Sequence, residues 1–227
     1  MTVTELAWIP SATPGSIPPA FLAACREGIE AQGEWITTQE PPTTTTSSSP
    51  SPRGPPSARG AALYQQREDR GVMLITAHWA SAGQHAACIA SAQNRAAMGA
   101  IAAHAVAAEV RYFHVDGVRM FGAETLGAGP LLSVARIGVA ARNRGEVEKA
   151  WEARARERLA AESGFEHAAG WRIEKEPGRE DRDEFVVVGA WRDEEALARF
   201  AVGGKAWDDV WEGVGLEMDV TTYNRIA

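Results

Sequence analysis

The chain has 227 residues, 45% of them hydrophobic and 23% charged, and a net charge of −7, which suits a soluble globular protein of one or two domains. The acidic balance without a basic cluster argues against a nucleic-acid surface, and no run of about 18 apolar residues offers a membrane span. Two cysteines, Cys25 and Cys88, build neither a disulfide framework nor a zinc site, and no basic-then-apolar leader opens the chain, so a cytoplasmic protein is expected.

Thr2–Pro10 reads as a strand, and Pro18–Gln32 as a helix whose paired prolines suit a first turn. Glu34–Glu40 (EWITTQE) reads as a second strand. Residues 41–60 (PPTTTTSSSPSPRGPPSARG) hold almost no apolar side chains, cannot offset their ordering entropy by burial, and are expected to form a mobile insertion. Gly71–Trp79 reads as a central strand, Ser81–Ala108 as a long Ala-rich helix and Val110–Phe121 as a last strand.

After a linker at 122–130, Leu131–Ala140 reads as a strand. Gly145–Glu162 then carries Val147, Trp151, Ala155 and Leu159 on one helical stripe, and Gly164 stops it. His167–Glu176 reads as a strand, Glu184–Trp191 as a central strand covered on both faces, Asp193–Val214 as a helix and Leu216–Arg225 as a closing strand. The order β-α-β-β-α-β thus occurs twice, at 1–121 and 131–227.

Residue matches favour a duplication. EWITTQEP resembles GWRIEKEP, pairing Trp35 with Trp171, and HWASAGQHA resembles AWRDEEALA, pairing Trp79 with Trp191. The separations are 136 and 112 positions, and their difference is close to the length of the Pro/Thr/Ser segment. The halves are unequal. Residues 1–121 hold 8 basic and 9 acidic side chains and four of the five histidines, while 15 basic and 21 acidic fall in the remainder.

The runs Thr76-Ala77-His78-Trp79-Ala80-Ser81 and Val188-Gly189-Ala190-Trp191-Arg192-Asp193, each followed by a helix, and the cluster Trp207-Asp208-Asp209-Val210-Trp211 resemble the dimeric α/β-barrel superfamily, especially antibiotic-biosynthesis-monooxygenase (ABM)-like domains. That resemblance implies an α+β fold in which two ferredoxin-like units pair their sheets into a barrel. A tandem copy builds it within one chain, leaving a monomer or a homodimer, because a sheet with helices on one face must cover the other. It also implies a small-molecule enzyme of secondary metabolism, a cofactor-independent monooxygenase, cyclase or decarboxylase acting on an aromatic polyketide-like ligand.

No strong catalytic signature accompanies it: GxSxG, HExxH, CxxC and P-loop patterns are absent. His114 and Asp116 are two apart on a strand and share a face, a pairing that can hold an imidazole for proton abstraction. His78, at the end of the central strand, is the other candidate base. Trp35 and Trp79 are candidates for stacking on substrate rings, beside His85 and Tyr112, with Arg111 or Arg136 to stabilise an anion. No metal or cofactor is called for. The alternative is a ligand-binding or stress-response barrel without catalysis, in which the tryptophans pack helices on sheets. His104 is expected to pack or point to water, and His167 to be exposed.

Overall fold

The computed structural model describes residues 2–39, 59–117, 119–121, 130–176, 178–199, 211 and 217–226. The first half comprises β1 (Val3–Pro10), α1 (Pro19–Gln39), β2 (Ala62–Gln66), β3 (Val72–Trp79), α2 (Ala82–Ile89), α3 (Ala92–Ala102) and β4 (Arg111–Val115). The second comprises β5 (Leu131–Ala140), α4 (Arg144–Ala150) running through a π turn at Trp151–Ala155 into α5 (Arg156–Ser163), then β6 (His167–Trp171), β7 (Arg182–Trp191), α6 (Glu194–Arg199) and β8 (Glu217–Arg225). Gly164 ends α5 in the left-handed region at φ +82°, its N–H donating to the Ala160 carbonyl.

All eight strands join one antiparallel sheet in the order β4-β1-β3-β2-β8-β5-β7-β6. Each half keeps its fourth, first, third and second strands in that order, the ferredoxin-like arrangement. β2 joins β8 at Tyr64↔Arg225. The outer strands β4 and β6 meet beyond their ends at Val115↔Arg172. There the Asp116 N–H donates to the Trp171 carbonyl (2.9 Å) and the Ile173 N–H to the His114 carbonyl (2.8 Å). The sheet nearly closes into a barrel within one chain, as the duplication implies.

Leu6, Trp8, Tyr64, Leu74, Phe113, Val134, Val186 and Tyr223 fill the barrel interior. The Trp8 indole N–H crosses between the halves to the Tyr223 hydroxyl (2.7 Å). The outward face of the first half packs Ile9, Met73 and Ile75 against Phe21, Cys25 and Ile101, and beside them Trp79 meets Trp35 and Cys88. In the second half Ile137, Phe185 and Trp191 pack against Trp151 and Leu159. Being covered on both sides explains the near-continuous apolar runs of β3 and β7.

Register fixes the repeat. β1 pairs β3 from Val3↔Trp79 to Pro10↔Val72, and β5 pairs β7 from Leu131↔Trp191 to Ala140↔Arg182. Trp79 donates its indole N–H to the Glu5 carboxyl and Trp191 donates its own to the Ser133 hydroxyl, both at 2.7 Å. Glu5 and Ser133 each lie two residues beyond the strand position that faces the tryptophan.

The Trp35–Trp171 pairing fails. Glu34–Gln39 continues helix α1, and the second strand is Ala62–Gln66, after the insertion. Gln65 faces Met73 as Trp171 faces Phe185, so the counterpart of Trp171 is Gln65. The additional length lies between first and second strands: 59 positions separate Val3 from Ala62 where 37 separate Leu131 from Ala168. Gly33, just past the expected end of the helix, is mid-helix, and its lack of a side chain leaves room for Arg59, whose guanidinium would lie 2.0 Å from a Cβ there.

The long Ala-rich helix is two helices. Ser81 caps the first by accepting from the Gln84 N–H (3.1 Å), and Ser91 caps the second by accepting from the Asn94 N–H (3.0 Å). The last strand of the first half stops at Val115. The Pro/Thr/Ser segment at 41–58, most of the linker and most of 200–216 lie outside the described residues. No helix among the described residues is long and apolar enough to cross a membrane.

Candidate functional site

Polar side chains gather on the helix-covered face of the first half. Glu5 on β1 stands opposite His114 on β4, and Trp79 projects from β3 beside them. The Ser81 cap starts α2 so that its first full turn brings His85 down onto Trp79, ring on ring at 4.5 Å. Glu5, Trp79, His85 and His114 are all buried. Their contacts form a line. Glu5 Oε2 lies 3.5 Å from His85 Nε2, His85 Nδ1 lies 2.8 Å from His114 Nε2, and His114 Nδ1 lies 2.5 Å from Glu174 Oε1. Glu174 also accepts the His114 backbone N–H at 2.8 Å. Facing nitrogens 2.8 Å apart are at hydrogen-bond distance, with no room for an ion between them.

Burial raises the Glu5 carboxyl to about 7, against a smaller opposing effect of the Trp79 hydrogen bond. Burial, reinforced by His114, lowers His85 to about 3, so its imidazole is neutral at physiological pH. Desolvation alone raises Glu174, but the hydrogen bonds from the His114 ring and backbone outweigh it and hold this carboxylate below its ordinary range.

Glu174 belongs to the second half, from the segment between β6 and β7, and reaches across the barrel closure. The same grip recurs on the other side. Glu68, just after β2, accepts from both the Thr222 N–H (3.1 Å) and the Thr222 hydroxyl (2.5 Å) on β8. Thr222 faces Ser133 as His114 faces Glu5. The crossed glutamates are therefore architecture common to both halves. Glu5, His85 and His114 are particular to the first, where the second has Ser133, Leu197 and Thr222.

Of the residues singled out from sequence, Trp79, His85, Tyr112 and His114 come together. Tyr112 stands edge-on to both imidazoles, at 5.2 and 5.8 Å between ring centres. Trp79 is committed to Glu5 and His85 and is 1% exposed, so it holds the network and offers no free face for stacking on a substrate. Trp35 packs beside Trp79 from α1. Asp116 is exposed beyond the end of β4, and the carboxylate on His114 is Glu174. His78 lies on the opposite, barrel-facing side, where its Nε2 accepts the Phe121 N–H at 3.2 Å.

Arg111 and Arg136 also belong to the barrel side: Arg111 lies over Trp8, and Arg136 forks onto Glu184 at 2.9 and 2.6 Å. His167 is buried under Trp191 rather than exposed. Sequence reasoning missed Glu5 and Glu174. A carboxylate inside the otherwise apolar VTELAWIP was the available signal for the first.

Glu174 also lines an open groove with Arg172, Lys175, Glu176, Arg179, Arg182, Asp183 and Glu184. Ile173 and Tyr112, 40% and 46% exposed, are the exposed large hydrophobic residues among the described ones. Among the described residues no group of three or more His, Cys, Asp or Glu is placed to hold a metal ion.

Replacing Glu5 with glutamine keeps an acceptor for Trp79 and removes an ionisable group. The folded carboxyl binds its proton more tightly than the unfolded one, so Glu5 withdraws stability as pH rises from about 4.5 to about 7. At roughly 1.4 kcal/mol per pKa unit, Glu5→Gln is expected to be about 3 kcal/mol more stable than the parent at pH 8. Near pH 4.5 the two should match. Urea titrations at both values check this, and equal stability at pH 8 refutes it.

The antibiotic biosynthesis monooxygenase (ABM) family model matches residues 130–203. Solved structures share the fold over nearly the whole chain. A putative monooxygenase from Lactobacillus acidophilus NCFM is 12% identical with a TM-score of 0.57, covering 99% of this chain and 93% of its own. An anthrone oxidase-like protein is 14% identical with a TM-score of 0.55, covering 100% and 92%. A putative chlorite dismutase is 7% identical with a TM-score of 0.52, covering 100% and 94%. No curated protein matches the chain. With an ABM match confined to its second repeat and one barrel made from both, the chain has the dimeric α/β-barrel fold.

Proposed function

We propose that the chain is a cofactor-independent monooxygenase of an electron-rich aromatic substrate of the anthrone or naphthol type, as in polyketide secondary metabolism. The observation that carries the reading is the buried pair of imidazoles between two carboxylates. It is present in one repeat and replaced by Ser133, Leu197 and Thr222 in the other, so the fold does not require it. The ABM match and the likeness to an anthrone oxidase-like protein point the same way.

The substrate lies against Tyr112 and Ile173, beside the Glu174 carboxylate that His114 orients. That carboxylate removes a proton from the activated ring methylene. The carbanion passes one electron to dioxygen, and the radical pair closes a C–O bond to give a hydroperoxide. The hydroperoxide then loses water, so that the methylene and dioxygen become a ring carbonyl and one water molecule. Base and acid alternate at one group, which suits a coupled carboxylate–imidazole unit.

The test is oxygen uptake with a panel of anthrones and naphthols. His114→Thr places on β4 the residue that the second repeat uses, retaining a side chain that Glu174 can grip, and is expected to lower uptake roughly 100-fold with little change in Tm. Unchanged uptake removes the proposed site. A ligand-binding barrel without catalysis is the second reading, favoured by an interior packed with side chains and by imidazoles only 2–3% exposed. It predicts saturable binding of the same panel with no oxygen consumed.

A further inference from the structure

We propose that Glu5, His85, His114 and Glu174 form a proton relay, with Glu5 as the buried store for protons that Glu174 exchanges at the groove. The catalytic consequence rests on the oxygenase reading; the proton shift itself rests on the network alone.

The hydrogen positions follow from the chemistry of the ends. Glu174 is held ionised by two N–H donors, so His114 carries its proton on Nδ1 and presents Nε2 as an acceptor. His85 must then donate from Nδ1, leaving Nε2 bare toward the Glu5 carboxyl. Glu5 carries its proton on Oε2, the oxygen that also accepts the Trp79 N–H and stands 3.5 Å from His85 Nε2, a gap that closes when the last hydrogen bond of the line forms. Every hydrogen points from Glu5 toward Glu174.

One concerted shift moves the line over. The Glu5 O–H breaks as His85 Nε2–H forms, His85 Nδ1–H breaks as His114 Nε2–H forms, and His114 Nδ1–H breaks as Glu174 O–H forms. Total charge is unchanged. The reverse shift carries a proton from Glu174 to an ionised Glu5.

This resolves a mismatch in the site. Glu174 alone is a weak base, because its hydrogen bonds hold its carboxylate below the ordinary range. Linked through the two imidazoles it acts with the basicity of Glu5, poised near 7, where a general base works best. The other groups acting on the ends of the line are Cys88 from α2 and Tyr112 from β4, both of which feel the Glu5 charge, with Arg59 acting on Cys88. Both the thiol and the phenol are raised, by burial first, and stay neutral over the range in which Glu5 titrates.

The experiment uses the full chain labelled with 15N-histidine. Ring nitrogen shifts are followed from pH 6 to 8.5 in the parent, Glu5→Gln and His85→Leu, the last being the residue at the equivalent place in the second repeat. As Glu5 loses its proton in the parent, His85 is expected to pass from the Nδ1–H to the Nε2–H tautomer. Glu5→Gln, which cannot titrate, holds His85 in a single tautomer throughout. His85→Leu removes the inflection from His114 while retaining its Glu174 contact. A His85 tautomer that is constant in the parent, or that switches in Glu5→Gln as well, overturns the relay.

Oxygen uptake supplies the second arm. In the parent kcat rises with pH through about 7; in Glu5→Gln it is flat and roughly 10-fold or more lower at pH 8, with KM little changed. Uptake in Glu5→Gln with the parent's pH profile overturns the relay and spares the oxygenase reading. Tautomer switching without any uptake supports the relay and overturns the oxygenase reading.

Discussion

Acidification from pH 7 to about 4.5 is expected to unfold the protein, with His78, His85 and His167 as the cause. Each is a buried imidazole whose pKa is lowered by desolvation, to about 4, about 3 and about 4 respectively. Two of them also keep a ring nitrogen without a hydrogen-bond partner among the described residues, Nδ1 of His78 and Nε2 of His167. The unfolded chain takes up these protons below pH 6.5 and the folded chain does not, so stability falls as pH falls through that window. Between pH 6.5 and 5 the three withdraw roughly 6 kcal/mol, and Glu5, moving the other way, returns about 2. The net loss of about 4 kcal/mol brings a domain at the lower end of the usual range of about 5–15 kcal/mol close to its limit. Circular dichroism across a pH series reads the transition. A stability that stays flat from pH 7 to 5 refutes the assignment of these histidines as buried and neutral.

Gly189→Ala is expected to destabilise the protein by about 3 kcal/mol or more, at the upper end of overpacking costs. A Cβ built at Gly189 on β7 lies 2.0 Å from the His167 ring. The ring has nowhere to retreat: Trp191 stands edge-on to it at 5.2 Å, and His167 faces Gly189 across the β6–β7 ladder. His167→Ala in the same chain frees that space, so the double variant should be more stable than the sum of the single effects allows. It should also shift the acid transition downward, since one of the three imidazoles is gone. Additive losses in urea titrations of the four chains refute the steric account.

The elements legible in the sequence were those whose pattern is set by a single environment. β5 is found at its expected bounds because a strand between helices and barrel core is apolar throughout, and the stripe Val147–Leu159 survives because one helix face is buried. The failure at Glu34–Gln39 has a physical cause. Ile36, Thr37 and Thr38 favour strands, but Trp35 packs with Trp79 and Cys88, and tertiary burial overrides that weak preference. Gly33 reads as a helix stop, yet it sits within the helix and makes room for Arg59, a residue that follows the insertion and is remote in sequence.

Within the site, Tyr112 and His114 were legible through strand alternation, and His85 through its place after Trp79. Their carboxylates were not. The partner expected at Asp116 assumed that β4 continued, whereas the strand ends at Val115 and the chain turns to close the barrel. Glu174 is sixty residues away and contributed by the other repeat, a contact that only the barrel closure creates.

That crossing has a consequence for how such a site can change. In a barrel made from two identical subunits, every substitution appears twice, so losing an imidazole in one cluster means losing it in both. Here the two clusters are encoded separately: Glu5, His85 and His114 can vary while Ser133, Leu197 and Thr222 stay fixed, and the reverse. Yet the separation is incomplete, because Glu174 is inherited with the second half and Glu68 with the first. Each repeat carries one component of its neighbour's cluster, so either half could lose its own chemistry only while continuing to serve the other's.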